Sequence, residues 1–202
     1  MLQLDVLRHG QTEQGHTLRG HLDDALTLQG WQQMQNTIDQ HLKEHSVWDA
    51  IVSSPLQRCS LFAQKIQQQL GCPLIEMPEF KELYFGRWEG KTVQHIHETE
   101  PELLGQFWQD PCQYAAPQGE NLLQFQQRLE LGLHQLITQA EQQKWHSVLL
   151  ISHGGVIKWL RCIARQHALN QLLSMPAELA HMIRFRLDLS VSSKLQLQEI
   201  QE

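Results

Sequence analysis

The chain has 202 residues, enough for one domain with a full core. Its 41% apolar and 19% charged residues suit a water-soluble globular protein. Its net charge of −6 argues against nonspecific attachment to nucleic acid or an anionic membrane surface, both of which favour a basic excess.

The strands and helices follow from hydrophobic spacing. Leu2 to Leu7 alternates and then becomes continuously apolar, which predicts a short strand, followed by a loop over Arg8–Leu26 rich in Gly, His and Asp. Thr27 caps a helix running to about His45, with Leu28, Trp31, Met34, Ile38 and Leu42 on one face. Val47–Val52 is a second strand. Ser53 or Ser54 then caps a helix whose first turn takes Pro55 and which stops at Gly71. Pro73–Met77 is a third strand. Residues 78–120 interleave aromatics, Gly and Pro, with short helices near Thr92–Glu98 and Pro101–Trp108, and read as a lid-like cap. Asn121 to about Gln143 is the longest helix, Ser147–Ser152 a fourth strand, and Val156 to about His167 its following helix. Met182–Leu187 and Leu195–Ile200 alternate and close the sheet. Strands alternating with helices predict an α/β fold, a three-layer α/β/α sandwich on a mostly parallel central sheet. With no internal repeat and no long linker, residues 1–202 read as one domain.

Cys59, Cys72, Cys112 and Cys162 are far apart and form no CxxC pair, which fits reduced thiols better than a disulfide frame or zinc site. The first residues lack the basic and long apolar regions of a signal peptide, and no apolar run approaches the roughly 20 residues of a membrane span. The expectation is a cytoplasmic protein, monomer or homodimer, with neither nucleic acid nor membrane as partner.

Four short segments carry chemistry. Arg8-His9-Gly10 sits where the first strand ends; a neutral imidazole is a nucleophile, and an arginine fork matches phosphate oxygens. His153-Gly154-Gly155 ends the fourth strand and opens a helix whose N-terminal amides suit an anion. Arg58 lies one turn into the helix after the second strand. Glu82 lies in an aromatic-rich loop, where desolvation suits a general acid; it is preferred to Glu89. Ligands bind at the carboxyl ends of strands in such sheets, so these residues are expected to converge. Against that stand plain alternatives for each segment: surface loop, tight turn, helix cap or solvated charge. Twelve histidines also raise a metal reading, but His95 and His97 diverge on a helix, and the chain has no HExxH.

Taken in this order, the four segments resemble the histidine phosphatase superfamily, also called phosphoglycerate-mutase-like, over nearly the whole chain. The resemblance implies that His9 accepts the phosphoryl group. It implies that Arg8, Gln11, Arg58, His153 and Gly154 bind it, with His153 also in the catalytic set. Glu82 is implied as proton donor and then base, acting on a small phosphorylated metabolite with no metal or cofactor. Arg19–Thr27 with Gly30-Trp31 is similar to the alpha-ribazole phosphatase branch, which acts in cobalamin assembly, and Pro117–Glu120 is similar to a family element near the pocket. Gly15 and Arg19 depart from the family, which often has Asn and Ser or Thr there, and leave substrate identity open. The short stretch between Glu82 and His153 favours hydrolysis over the mutase reaction. A cofactor-dependent phosphoglycerate mutase and a non-catalytic phosphate-binding homologue are the alternatives. Phe85, Arg87, Trp88, Phe107 and Trp108 are expected to select the substrate.

Overall fold

The computed structural model describes residues 1–189 and 195–200. Six strands form one sheet: β1 (Leu2–Arg8), β2 (Ala50–Ser53), β3 (Leu74–Glu76), β4 (Ser147–Ser152), β5 (Met182–Leu189) and β6 (Leu195–Ile200), in the order β3-β2-β4-β1-β5-β6. The β3–β2, β2–β4 and β4–β1 pairs are parallel; β5 and β6 add on antiparallel. Helices α1 (Leu28–Glu44), α2 (Gln57–Leu70), α3 (Val93–Thr99), α4 (Pro101–Gln109), α5 (Leu122–Gln143) and α6 (Gly154–Ala164) complete the expected α/β fold.

Strand alternation divides the core into two layers. Leu4, Val6, Val52 and Leu150 face α5 and α6, where Phe125, Leu129, Leu133 and Trp159 meet them. Leu7, Ile51, Leu149 and Ile151 face the other way, against Met34 and Ile38 of α1 and Phe62 and Ile66 of α2. Each such fully buried side chain contributes on the order of 1.5–3 kcal/mol. Among the described residues, no helix is long and apolar enough to cross a membrane.

Thr27 caps α1 through Gly30 N at 2.9 Å, as its side chain predicts, and Gly71 ends α2 with a left-handed φ of 71°. Three local expectations fail. Leu28 is 90% exposed, so the core face of α1 begins one turn later. Strand β2 starts at Ala50 rather than Val47, which is exposed. The N-terminus of α2 is not capped by Ser53 or Ser54: the helix begins at Gln57, and its amide donates to Asp23 Oδ1 at 2.7 Å. A carboxylate from a distant loop thus takes the place of the local serine, whose hydroxyl has another partner described below.

Register sets the site. Arg8 of β1 pairs with Ser152 of β4, and Ser53 of β2 pairs with Ile151 of β4. β1 and β4 therefore end level, which sets His9 beside His153, and β2 ends one residue short of them, with Ser54 the next residue of its chain.

Candidate active site

His9 leaves β1 with its amide bonded to Ser152 O at 3.0 Å. Gly10 follows because the chain then runs against α1: a Cβ at Gly10 would overlap Gly30 O. The His9 ring is buried, and its Nδ1 donates to Gly10 O at 2.8 Å. That bond fixes the tautomer and leaves the lone pair on Nε2. Burial, then the charge of Arg58, holds the His9 pKa well below the usual imidazole value, more than the Gly10 bond offsets. His9 is a neutral imidazole at physiological pH.

His153 lies beside it, the ring centroids 5.3 Å apart and the planes at 64°. It is fully buried but not in an oily setting. Arg58 Nε donates to its Nδ1 at 3.3 Å, and its Nε2 then donates to Ser54 Oγ at 2.7 Å. This is the partner that occupies Ser54. Burial first, then Arg58, keeps His153 neutral as well. Cys59 Sγ stands 3.8 Å from His153 Nε2, and burial pushes this thiol up to about 12.

Arg58 is fully buried in α2 and every arm of its fork is engaged. Nη1 donates to Leu22 O at 2.8 Å and pairs with Asp24 at 3.3 Å; Nη2 donates to Gly20 O at 2.8 Å. Asp24 is also 3.4 Å from Arg19 Nε. These contacts fold the Arg8–Leu26 loop over the strand ends.

Glu82 reaches the same place from the other side. Its carboxylate accepts from Leu83 N at 2.8 Å and from Gly155 N at 2.9 and 3.1 Å, at the N-terminus of α6. Aligned amides and the helix dipole favour an anion there. Gly155 is required for this pose, because a Cβ would overlap Glu82 Oε1. Arg128 of α5 holds the loop that carries Glu82. It donates to the carbonyls of Glu79 (2.6 Å), Lys81 (3.0 Å) and Glu82 (3.2 Å) and pairs with Glu120. Glu120 in turn accepts from Tyr84 N at 2.9 Å.

A cleft of about 440 Å³ opens over His9, within the range of small-molecule sites. Arg8, Glu82 and Gly154 line it with His9, as do Arg19 and Lys158. Arg8 Nη1 donates to Ala177 O, while its buried Nε has no hydrogen-bond partner among the described residues. Arg58 and His153 do not line the cleft; they stand behind His9. Gln11 does not line it either. Its backbone ties the loop to α1, taking Gln33 Oε1 at 3.1 Å and Thr27 N at 2.9 Å.

Of the residues expected to select a substrate, Phe85 alone lines the cleft. Trp88 and Phe107 are buried edge to face in the core, Trp108 faces outward, and Arg87 pairs with Glu100 at 2.8 Å. Aromatic content signalled packing here. Glu89, ranked below Glu82 as a general acid in the sequence, has a structural place instead: its carboxylate accepts from the amides of Gly20, His21, Leu22 and Phe85 at 2.7–3.1 Å. Arg19 was singled out in the sequence only as a departure from the family, and Asp24, Arg128 and Lys158 were given no role. A lone arginine on the apolar face of α5 was the signal for Arg128; the others left none.

Comparison with known proteins agrees with the geometry. The profile of the histidine phosphatase superfamily (branch 1) matches residues 4–197. The adenosylcobalamin/alpha-ribazole phosphatase of Escherichia coli (strain K12) is 32% identical over 191 residues, 93% of this chain and 86% of that protein. A probable phosphoglycerate mutase, GpmB, of Escherichia fergusonii is 29% identical over 188 residues, 92% of this chain and 81% of that one. Among solved structures, Bacillus stearothermophilus YhfR superposes with a TM-score of 0.82 at 26% identity, covering 98% of this chain and 95% of that one.

Proposed function

The chain belongs to the histidine phosphatase superfamily, and on that premise we propose that it is a phosphomonoester hydrolase working through a phosphohistidine on His9. The observation that carries this reading is the state of His9: neutral, pinned through Nδ1, and lining a cleft shared with Arg8, Glu82 and Gly154.

In the first step His9 Nε2 attacks phosphorus in line, the ester P–O bond breaks, and protonated Glu82 gives its proton to the departing oxygen. In the second, Glu82 takes a proton from water, the water oxygen attacks phosphorus, and the N–P bond breaks to release phosphate and neutral His9. Arg8 Nε and the Gly154 amide end of α6 supply donors to the phosphoryl oxygens. Arg58 and His153 complete the phosphoryl-binding set in this proposal. From their resting positions, Arg58 must exchange its Gly20 carbonyl for a phosphoryl oxygen to do so. Cationic side chains supply the charge stabilisation, so no metal is invoked. Residues 78–120 serve as the cap, and the setting is cytoplasmic.

The finer assignment is alpha-ribazole 5′-phosphate as substrate, supported by the 32% identity to the E. coli enzyme. Phosphate release from a panel of phosphomonoesters that includes this compound tests both levels. Turnover lost in His9→Ala is the expected result, with alpha-ribazole 5′-phosphate the best substrate. A fully active His9→Ala protein overturns the mechanism. The likeness to GpmB supports a second reading, phosphoglycerate isomerisation, and net isomer formation without phosphate release would favour it.

A further inference from the structure

One wall of the cleft is built by the segment Leu172–Ala177, which follows α6 and lies far from the 78–120 stretch in sequence. Three cationic side chains hold this segment by its carbonyls. Lys158 Nζ donates to Leu173 O at 2.8 Å, Arg161 Nη1 to Pro176 O at 2.6 Å, and Arg8 Nη1 to Ala177 O. The residues it contributes to the cleft lining are apolar: Leu172, which is rooted in the core, and Leu173, Met175, Pro176 and Ala177. Leu18, Leu83 and Phe85 continue the apolar surface across the cleft.

The cations around this wall are each tethered to the fold by at least one contact. Arg19 pairs with Asp24 at 3.4 Å and donates to Gly15 O; Lys158 has Leu173 O, and burial pulls its amine below the ordinary lysine value. Arg8 differs: one arm holds the wall and its buried Nε is without a partner among the described residues. The same guanidinium therefore touches the place for a phosphoryl oxygen and the place for what the phosphate is attached to.

We propose that Leu172–Ala177 is the leaving-group wall of this site and selects phosphomonoesters whose alcohol is uncharged and largely apolar. This rests on the hydrolase reading above and adds to it the class of alcohol. A second anionic group, such as a carboxylate, carried on the part of the substrate that lies against this wall meets apolar surface there and loses hydration without compensation from the wall itself. An apolar alcohol gains burial against the wall, and a hydrophobic pocket discriminates by about 10–200-fold for such differences.

The test compares 2-phenylethyl phosphate, glycerol 3-phosphate and 3-phosphoglycerate, whose leaving groups are all alcohols, so that the wall rather than leaving-group acidity sets the order. For the unmodified enzyme, kcat/KM for the phenylethyl ester is expected to exceed the other two by about ten-fold or more, mostly through KM. Leu173→Asn is expected to reduce the phenylethyl-to-glycerol ratio by about five-fold or more. Equal kcat/KM values, a preference for 3-phosphoglycerate, or a ratio that Leu173→Asn leaves unchanged overturns the proposal. If no ester is hydrolysed, the hydrolase reading has failed, and the wall is then read without turnover. Calorimetric binding of phenylethylphosphonate about ten-fold tighter than methylphosphonate sustains it, and equal affinities overturn it.

Discussion

Arg58 Nε donates to His153 Nδ1 across 3.3 Å, and that bond orders the protons of the two histidines. An arginine has only donors, so Nδ1 must be the acceptor and Nε2 must carry the hydrogen it gives to Ser54. The same guanidinium, next to His9, is the largest charge effect on that ring. One buried cation, balanced by Asp24, thus adds to burial, the larger cause, in keeping both imidazoles neutral.

Arg58→Ala removes one half of a buried pair and leaves Asp24 with Arg19. A loss of about 3–5 kcal/mol is expected by urea denaturation. Without that charge the His9 pKa rises, so the acid limb of the pH profile of kcat/KM moves to higher pH. Arg58→Lys keeps the charge but not the fork and should lie between the two.

Gly155→Ala places a methyl group where Glu82 Oε1 now lies. The carboxylate must leave the α6 amides, and proton delivery to the leaving oxygen suffers. Alkyl phosphates, which need that proton, should lose about 10²–10⁴-fold in kcat/KM, while p-nitrophenyl phosphate, whose leaving group needs little help, should lose far less. Equal losses for both would mean that Glu82 is not held in place by Gly155.

Stability should fall in mild acid. His9 and His153 have pKa values depressed in the folded protein, by burial first and Arg58 second. Below the ordinary imidazole value of about 6.5 the unfolded chain takes up protons that the folded chain refuses. The stability these rings contribute is complete above that pH and is lost as pH falls toward their folded values. Each contributes a slope of about 1.4 kcal/mol per pH unit in this window. Urea titrations at pH 7.5, 6.5 and 5.5 read it, and His153→Asn should flatten the dependence.

Glu89→Gln replaces a carboxylate that serves four amides with a group whose nitrogen cannot accept. Leaving buried donors unpaired should cost about 1–3 kcal/mol and loosen residues 20–22 against Phe85. Amide hydrogen exchange at Gly20, His21 and Leu22 would report that loosening directly.

Much of this molecule was legible in its sequence because the signals are local. Alternating and 3.6-residue spacing gave the strands and helices, Thr27 caps where its side chain predicts, and a glycine beside a histidine at a strand end marked both His9 and His153. Such patterns depend on neighbours within a turn or two. They do not reveal which distant groups will meet. That Asp23 rather than Ser54 caps α2, that Arg58 faces inward on Gly20, Leu22 and Asp24, that Arg128 gathers three carbonyls beneath Glu82, and that Leu172–Ala177 joins Leu83 and Phe85 in walling the cleft were decided by tertiary structure. The physical reason is that a buried charge or polar group must be satisfied by whatever the folded sheet brings beside it, and that partner is set by strand order and register, not by spacing along the chain.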